Sequence, residues 1–346
     1  MPTKQRSITI KDVARRAHLS PSTVSRVLNK SGYFSQETLK KVEKAVQALG
    51  YQPNWMARGL RGKPSKLVGL IIPDISNVFY TGVAQAVAAT LQQLGYEMIL
   101  CIHNEDPAVD LAYLRILEEK NVDGIIYTHP SGGANNSIYV RQLVTRGMPM
   151  VEINRQREMD LLDAVLADNW RGTCQALEYL IGLGHRRIGM ICGDCTTTAG
   201  SDRIAGYKSA LNEAGLPIEL ELLKIGSFTR AYGEQATLEL LHLLNPPTAI
   251  FATSNRIALG TLYVLEHEQM QVPRDVSVVT FDDTEWLAAW NPPITAVDIA
   301  VDEMARLAVE LLQRRMNAPG GDQKPVTYRL STFLQIRESC ESPSRN

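Results

Sequence analysis

Apolar residues follow two rhythms along the chain, and the change comes near residue 65. Before it, Val13, Val24, Val27, Leu28, Leu39, Val42, Val46 and Leu49 are spaced like the buried faces of short helices. The spacing predicts three helices over residues 9–50. Thr9 is placed to cap the first, which starts near Ile10 with Asp12 in its first turn. Ser20 caps the second, and Pro21 suits its first position because an N–H there has no helical partner. Ser35 and Thr38 precede the third, which ends at Gly50. Tyr51-Gln52-Pro53-Asn54 reads as a turn before a short run from Trp55 to Arg61, and Gly62, Pro64 and Ser65 as a linker.

After residue 65, continuous apolar runs alternate with helical periodicity. Leu67–Ile72, Tyr96–Ile102 and Val122–Tyr127 predict buried strands, with helices over 79–94 and 106–120. The order starts again at Arg187–Cys192, with a helix over Tyr207–Ala214 and strands at Thr248–Ala252 and Asp275–Phe281. Strands alternating with helices mean parallel α/β sheets covered on both faces. The internal echo predicts two similar lobes, with a ligand cleft at the carboxyl ends of the strands.

Charge divides at the same place. Residues 1–62 hold twelve Lys/Arg and three Asp/Glu, a net of +9, and the remainder carries −10, so the total of −1 hides a basic head on an acidic body. Such a head is suited to a polyanion. A solvated basic tail is the plainer alternative, and the core-like spacing of its apolar residues argues against it. No stretch approaches the ~18–20 apolar residues of a membrane span, and Met1–Arg6 leads into no apolar signal segment. The expectation is a cytoplasmic protein without membrane contact. The five cysteines are few and scattered, as in a reducing compartment.

The segment Thr9-Ile10-Lys11-Asp12-Val13-Ala14 through Ser20-Pro21-Ser22-Thr23-Val24-Ser25-Arg26-Val27-Leu28-Asn29 has the logic of a helix-turn-helix. The first helix braces, and the second carries small polar residues that can approach bases and phosphates closely. This order resembles the signature of the lactose/galactose repressor (LacI/GalR) family. Tyr51-Gln52-Pro53-Asn54-x-x-Ala57-Arg58-x-Leu60 resembles its hinge, and matches continue to about residue 312. The resemblance implies a transcription regulator, most simply a repressor, that binds a palindromic double-stranded DNA operator as a homodimer under the control of a small polar effector, with a sugar-like molecule favoured. It places Pro21, Ser22 and Arg26 on base-reading positions, and Thr9, Ser20, Thr23, Ser25, Asn29, Tyr33 and Ser35 on or near phosphate-contacting ones. Thr23 and Ser25 read equally well as ordinary helix-surface polarity, and His18 as a turn residue. Pro21 lacks a side-chain donor, so Ser22 and Arg26 are expected to carry the readout, Arg26 through a bidentate contact to guanine. In the hinge, Asn54 is placed to cap a helix, Ala57 lies in it, and Leu60 matches the leucine that wedges into the minor groove. Gly59 inside that helix costs about 0.8–1.0 kcal/mol relative to Ala.

The resemblance further implies a small all-α head on an α/β two-lobed, periplasmic-binding-protein-like core. It divides the chain into a DNA-binding domain at 1–52, a hinge and linker at 53–65, an effector and dimerisation domain at 66–337 and a tail at 338–346. Effector contacts are expected from Asp74, Phe79, Asn154, Arg203, Phe228, Ser254, Asn255 and Asp282. Arg203 offers a five-donor fork and Asp282 a carboxylate acceptor, with Phe228 as a flat apolar face. Residues 75–91 and 277–290 are where the family's dimer face would lie. The tail shows no leucine heptad. Effector is expected to close the lobes and so change DNA affinity. Two residues depart from the family's usual Asn-Asp: Ser254 and Asn255. Thr280 stands where Gly is usual.

Other functions fit less well. Gly182-Leu183-Gly184 lies after a helix and before a strand, the reverse of a dinucleotide fingerprint. Cys192-Gly193-Asp194-Cys195 lacks both a thioredoxin-like context and further zinc ligands, so a reduced thiol pair beside the cleft is expected. No nucleophile–base pairing stands out. The body alone would suit a transport binding protein, but the basic head does not. No enzyme activity, cofactor or metal is expected.

Overall fold

The computed structural model describes residues 8–28, 33–51, 64–132, 136–318 and 324–343. The chain forms two compact units, Met1–Ser65 and Lys66–Asn346.

In the first unit, α1 (Ile10–Ala17), α2 (Pro21–Leu28) and α3 (Gln36–Leu49) close around Val13, Ala17, Val24, Val27, Val42 and Ala45. Local chemistry sets each boundary. Thr9 and Asp12 form a capping box at the start of α1. His18 ends that helix in the left-handed region, with φ 53°. The Ser20 hydroxyl accepts from the Thr23 amide at 3.1 Å and Ser35 from Thr38 at 3.2 Å, which satisfies N–H groups the first turns would otherwise orphan.

The second unit contains two six-stranded sheets. Lobe 1 is built from β1 (Leu67–Ile72), α4 (Val78–Gln93), β2 (Glu97–Ile102), α5 (Pro107–Glu119), β3 (Gly124–Tyr127), α6 (Ser137–Thr145), β4 (Met150–Ile153) and β5 (Asp163–Ala167). Lobe 2 contains α7 (Asn169–Gly182), β6 (Ile188–Cys192), α8 (Thr198–Glu213), β7 (Leu223–Ile225), α9 (Arg230–Leu241), β8 (Ala249–Ala252), α10 (Asn255–His267), β9 (Ser277–Phe281), α11 (Glu285–Ala289) and β10 (Thr295–Ile299). The chain then returns to lobe 1 with α12 (Val301–Asn317) and β11 (Thr327–Leu330), and ends in lobe 2 with β12 (Thr332–Gln335). Sheet orders are β11-β5-β4-β3-β1-β2 and β12-β10-β9-β8-β6-β7. Pairing is parallel throughout except between β10 and β12. The repeated order accounts for the echo in the sequence. Three crossings, at Asp168, Ala300 and Ser331, join the lobes.

Two expectations need revision. The helix expected over 207–214 begins at Thr198, where the Thr197 hydroxyl accepts from the Gly200 amide at 3.1 Å. Its first half carries little apolar periodicity because it packs by close backbone approach. A Cβ on Gly200 would lie 2.1 Å from the Asp194 carbonyl oxygen. The segment after Arg337, expected as a tail, is docked along lobe 2 as far as Glu341. Ser339 is fully buried and its hydroxyl donates to the Val278 carbonyl at 2.6 Å, while the Glu341 amide donates to Ser277 at 3.1 Å.

An ion cluster ties the returning helix to lobe 1. Buried Asp163 accepts from Arg315 Nη2 at 2.7 Å, Arg314 Nη2 at 3.0 Å and the Val326 amide at 2.7 Å. Burial pushes its carboxyl up, but these bonds and both guanidinium charges prevail and hold it below the usual carboxylate value. A carboxyl depressed in the folded state stabilises above its unfolded pKa of about 3.9 and loses that contribution as pH falls through the folded value. Asp163→Asn is therefore expected to lower the urea midpoint at pH 7, and the two proteins' midpoints should converge as the pH falls below the ordinary carboxylate range. A difference that persists in acid would argue against the linkage.

Candidate functional site

The head presents a compact polar surface on α2. Ser22 and Arg26 are exposed, whereas Thr23 and Ser25 are half-buried. Val24 and Val27 on the opposite face hold the helix to its core, so Arg26 projects from a fixed support. The Ser20 hydroxyl lies 2.7 Å from that of Ser22 and 2.8 Å from that of Thr23, which orients the start of α2. Thr9, Pro21 and Ser35 are exposed, and Tyr33 is 94% exposed. That leaves a phenol free of the core at the entry to α3. Asn29, Asn54, Ala57 and Leu60, with Gly59, lie outside the described residues.

In the body, the loops at the carboxyl ends of both sheets converge on an interlobe cavity of about 30 Å³. Arg203 comes from α8 and is 3% exposed. Its Nε donates to Asn169 Oδ1 at 2.9 Å, Nη1 to the Thr253 carbonyl, and Nη2 reaches Asp282 Oδ1 at 3.5 Å. Its guanidinium lies over Phe281, 3.7 Å from the ring centroid. Asp282 follows β9 in the left-handed region, with φ 68°. Burial pushes its carboxyl up despite Arg203, and burial likewise lowers the Arg203 guanidinium. The pair is thus desolvated, with its closest approach at 3.5 Å.

Asn154 occupies the matching place in lobe 1, after β4, with φ 65°. Asn residues tolerate this conformation better than most. Its Nδ2 donates to the Tyr80 hydroxyl at 2.9 Å, and its Oδ1 is buried without a partner among the described residues. Phe228 lines the cavity from lobe 2 with its ring against Gly193, where a Cβ would stand 2.3 Å from the ring. Phe79 and Ser254 also line it. The Ser254 hydroxyl is in addition the cap of α10, accepting from the Ile257 amide at 3.2 Å.

Six expected effector residues thus come together, and two do not. Asp74 is half-buried outside the cavity lining, and its carboxylate is occupied by its own turn, accepting from the Ser76 amide and hydroxyl, both at 2.7 Å. Asn255 is not among the lining residues, and its Nδ2 donates to Oδ1 of Asn77, which is, at 2.9 Å. The sequence reading also missed Arg155 and Tyr80. Arg155 is 4% exposed and holds Glu105 with Nη2 at 2.9 Å and Nη1 at 3.1 Å. Its guanidinium lies 5.8 Å from the Phe228 ring centroid. Burial opposes its charge, but the Glu105 carboxylate holds it protonated. An arginine directly after a strand has no periodic signature that separates it from a solvated one.

Cys192 is buried in β6 and Cys195 exposed. Burial pushes the Cys192 thiol up to about 11, so it is an unreactive thiol at neutral pH. Among the described residues, no group of His, Cys, Asp and Glu is placed to hold a metal, and no helix is long and apolar enough to cross a membrane.

Comparison with known proteins covers both units. Residues 9–54 match the family described as bacterial regulatory proteins, lacI family, and residues 177–340 match a periplasmic binding protein-like domain. HTH-type transcriptional regulator DegA of Bacillus subtilis (strain 168) is 34% identical over 296 residues, 86% of this chain and 88% of its own. Catabolite control protein A of Priestia megaterium is 32% identical over 336 residues, covering 97% of this chain and 100% of its own. Among solved structures, the transcriptional regulator CelR–cellobiose complex is 31% identical with a TM-score of 0.72, over 96% of this chain and 99% of that one. The lac repressor dimer bound to operator and the anti-inducer ONPF has the same fold, with a TM-score of 0.82 at 24% identity over 97% of this chain and 100% of that one. The relatives are DNA-binding transcription regulators and not enzymes. With a helix-turn-helix head on a periplasmic-binding-protein-like body, the chain belongs to the LacI family of transcription regulators.

Proposed function

We propose that the chain is a cytoplasmic repressor that binds a palindromic operator as a homodimer and responds to a small, neutral, sugar-like effector. The observation that carries the effector reading is the unfinished polar set in the cleft. The Arg203–Asp282 pair is buried at 3.5 Å, beside the unpartnered Oδ1 of Asn154. Buried polar groups want partners, and a molecule with several hydroxyls donates to Asp282 and Asn154 while accepting from Arg203. Phe228 supplies the apolar face such a ring needs. The relative CelR is named as a cellobiose complex, which agrees with this chemistry. The expected effector residues are then Phe79, Asn154, Arg203, Phe228, Ser254 and Asp282, joined by Arg155 and Tyr80.

DNA reading is assigned to Ser22 and Arg26 with Pro21 against the bases. Thr9, Ser20, Thr23, Ser25, Asn29, Tyr33 and Ser35 take the phosphates, and the hinge of Asn54, Ala57 and Leu60 takes the minor groove. The proposed domains are a head at 1–52, a hinge at 53–65 and a body from 66 that extends past 337 to the docked residues near 341. Pairing through lobe 1 is supported by exposed Ile75 and Val78 beside edge strand β2, where Met98, Ile99 and Leu100 are only half-buried. A thermal-shift screen of sugars, nucleosides and organic acids tests the effector class, because a ligand of the folded state raises its apparent stability. A sugar should raise Tm and change operator affinity in a parallel binding assay. Shifts from organic acids alone would sink the sugar reading.

A further inference from the structure

The cavity of about 30 Å³ admits roughly two waters and is far below the roughly 300–1,000 Å³ of an ordinary ligand site. A wider groove of about 730 Å³ opens beside it at Phe79 and Asp282, but a sugar-sized molecule enclosed among Asn154, Arg203 and Phe228 needs the lobes to part. Bonds made by protein atoms alone span the two lobes. Asn255 Nδ2 of lobe 2 donates to Asn77 Oδ1 of lobe 1 at 2.9 Å, with both residues buried. The Gly132 amide of lobe 1 donates to Asp194 Oδ2 of lobe 2 at 2.6 Å, and the Gln156 amide to Thr198 Oγ1 at 3.1 Å. A fourth link, Arg329 to Asp202 at 2.8 Å, is half-exposed and adds little.

We propose that these three buried or half-buried bonds form a clasp that holds the cleft shut by itself, with the Asn77–Asn255 amide pair as its keystone, so that an effector works by unfastening it. The orientation of the pair is determined by its surroundings. Asn77 caps α4, and its Oδ1 accepts from the Phe79 amide at 3.0 Å, so that oxygen must face the Asn255 side chain. Only an amide N–H on Asn255 can meet it. Asn255 is also close to the cavity, because its backbone amide lies near enough to the Asp282 carboxylate to favour the charged form. A ligand that draws Asp282 or Arg203 toward itself therefore pulls on the residue that carries the clasp. This reverses the expectation that an effector closes the lobes, and it gives Asn255 a role without ligand contact. Asn255 is a positioning residue.

The isosteric change Asn255→Asp tests the clasp. It sets a carboxylate against the Asn77 oxygen and adds a second negative charge beside Asp282, with almost no change in volume. Residue-resolved hydrogen exchange on the purified full-length chain reads the result, with no ligand added. The amides of Gly132 and Gln156 are the reporters, because each bonds across the cleft at a distance from the mutation. Exchange at both should rise at least tenfold, while strand amides such as Ile71 and Val279 keep their parent rates. Asn77→Ser provides a second variant should Asn255→Asp not fold. Its hydroxyl still caps α4, but it is too short to reach Asn255, and it should produce the same pattern. Unchanged exchange at Gly132 and Gln156 overturns the proposal, as does a rise confined to residues 77–79, since the bonds would then not act together.

Discussion

Arg203→Ala is expected to abolish the response to effector and to weaken the fold at neutral pH. The guanidinium it removes lies on Phe281 and faces Asp282, which is buried with it. Removing one partner of a buried ion pair strands the other charge, at a cost of about 3–5 kcal/mol. Asp282 already has its carboxyl pushed up by burial, and losing Arg203 pushes it further in the same direction. An acid whose folded pKa lies above its unfolded one penalises the folded state at high pH and relieves it as pH falls through the folded value. The destabilisation should therefore be largest at neutral and higher pH and shrink as the pH falls. Urea melts of parent and variant across a range of pH measure it. Operator affinity measured with and without the sugar found by screening shows whether the response is gone. A variant as stable as the parent at pH 8, and still responsive, would remove Arg203 from both roles.

Arg26→Ala is expected to cost about tenfold to a hundredfold in affinity for the operator, the range for one bidentate base contact. Affinity for random DNA should change far less. Arg26 is exposed in the last turn of α2, and truncating it should leave the Val24 and Val27 packing and the fold of the head intact. Competition binding against operator and scrambled duplex at one salt concentration separates the roles, since a phosphate contact weakens all sequences alike and lowers the salt slope by about one. An equal loss on both duplexes would make Arg26 a phosphate contact.

The parts of this molecule legible in its sequence are those set by short-range physics. Thr9, Ser20 and Ser35 announce helix starts because a hydroxyl two or three residues ahead of a free N–H is a local arrangement. The continuous runs Leu67–Ile72 and Arg187–Cys192 announce strands because a strand covered on both faces has no polar side. Asp74 and Asn255 have partners that the sequence does not reveal. Resemblance gave both as effector contacts, but the Asp74 carboxylate is held two residues away by Ser76, and the Asn255 amide by a residue 178 positions distant. Arg155 went unread because its meaning comes from Glu105, Tyr80 and Phe228, which only the fold gathers around it. The docked segment at Ser339 is too short and polar for any periodic signal.

The threefold passage between the lobes has a consequence for synthesis. All of the head's core lies within residues 10–51, so it can fold soon after it leaves the ribosome. Neither lobe has that freedom. Lobe 1 lacks α12 and edge strand β11 until residue 330 is made, and lobe 2 lacks β12 and its Ser339 clip until later still. At about 5–20 residues per second, roughly 15–60 s separate the two events. During that interval the nascent chain carries a folded reading head and no finished sensor. A premature stop codon between about residue 230 and residue 326 would leave a protein in the same condition, able to present α2 to DNA but with neither sheet complete enough to govern it.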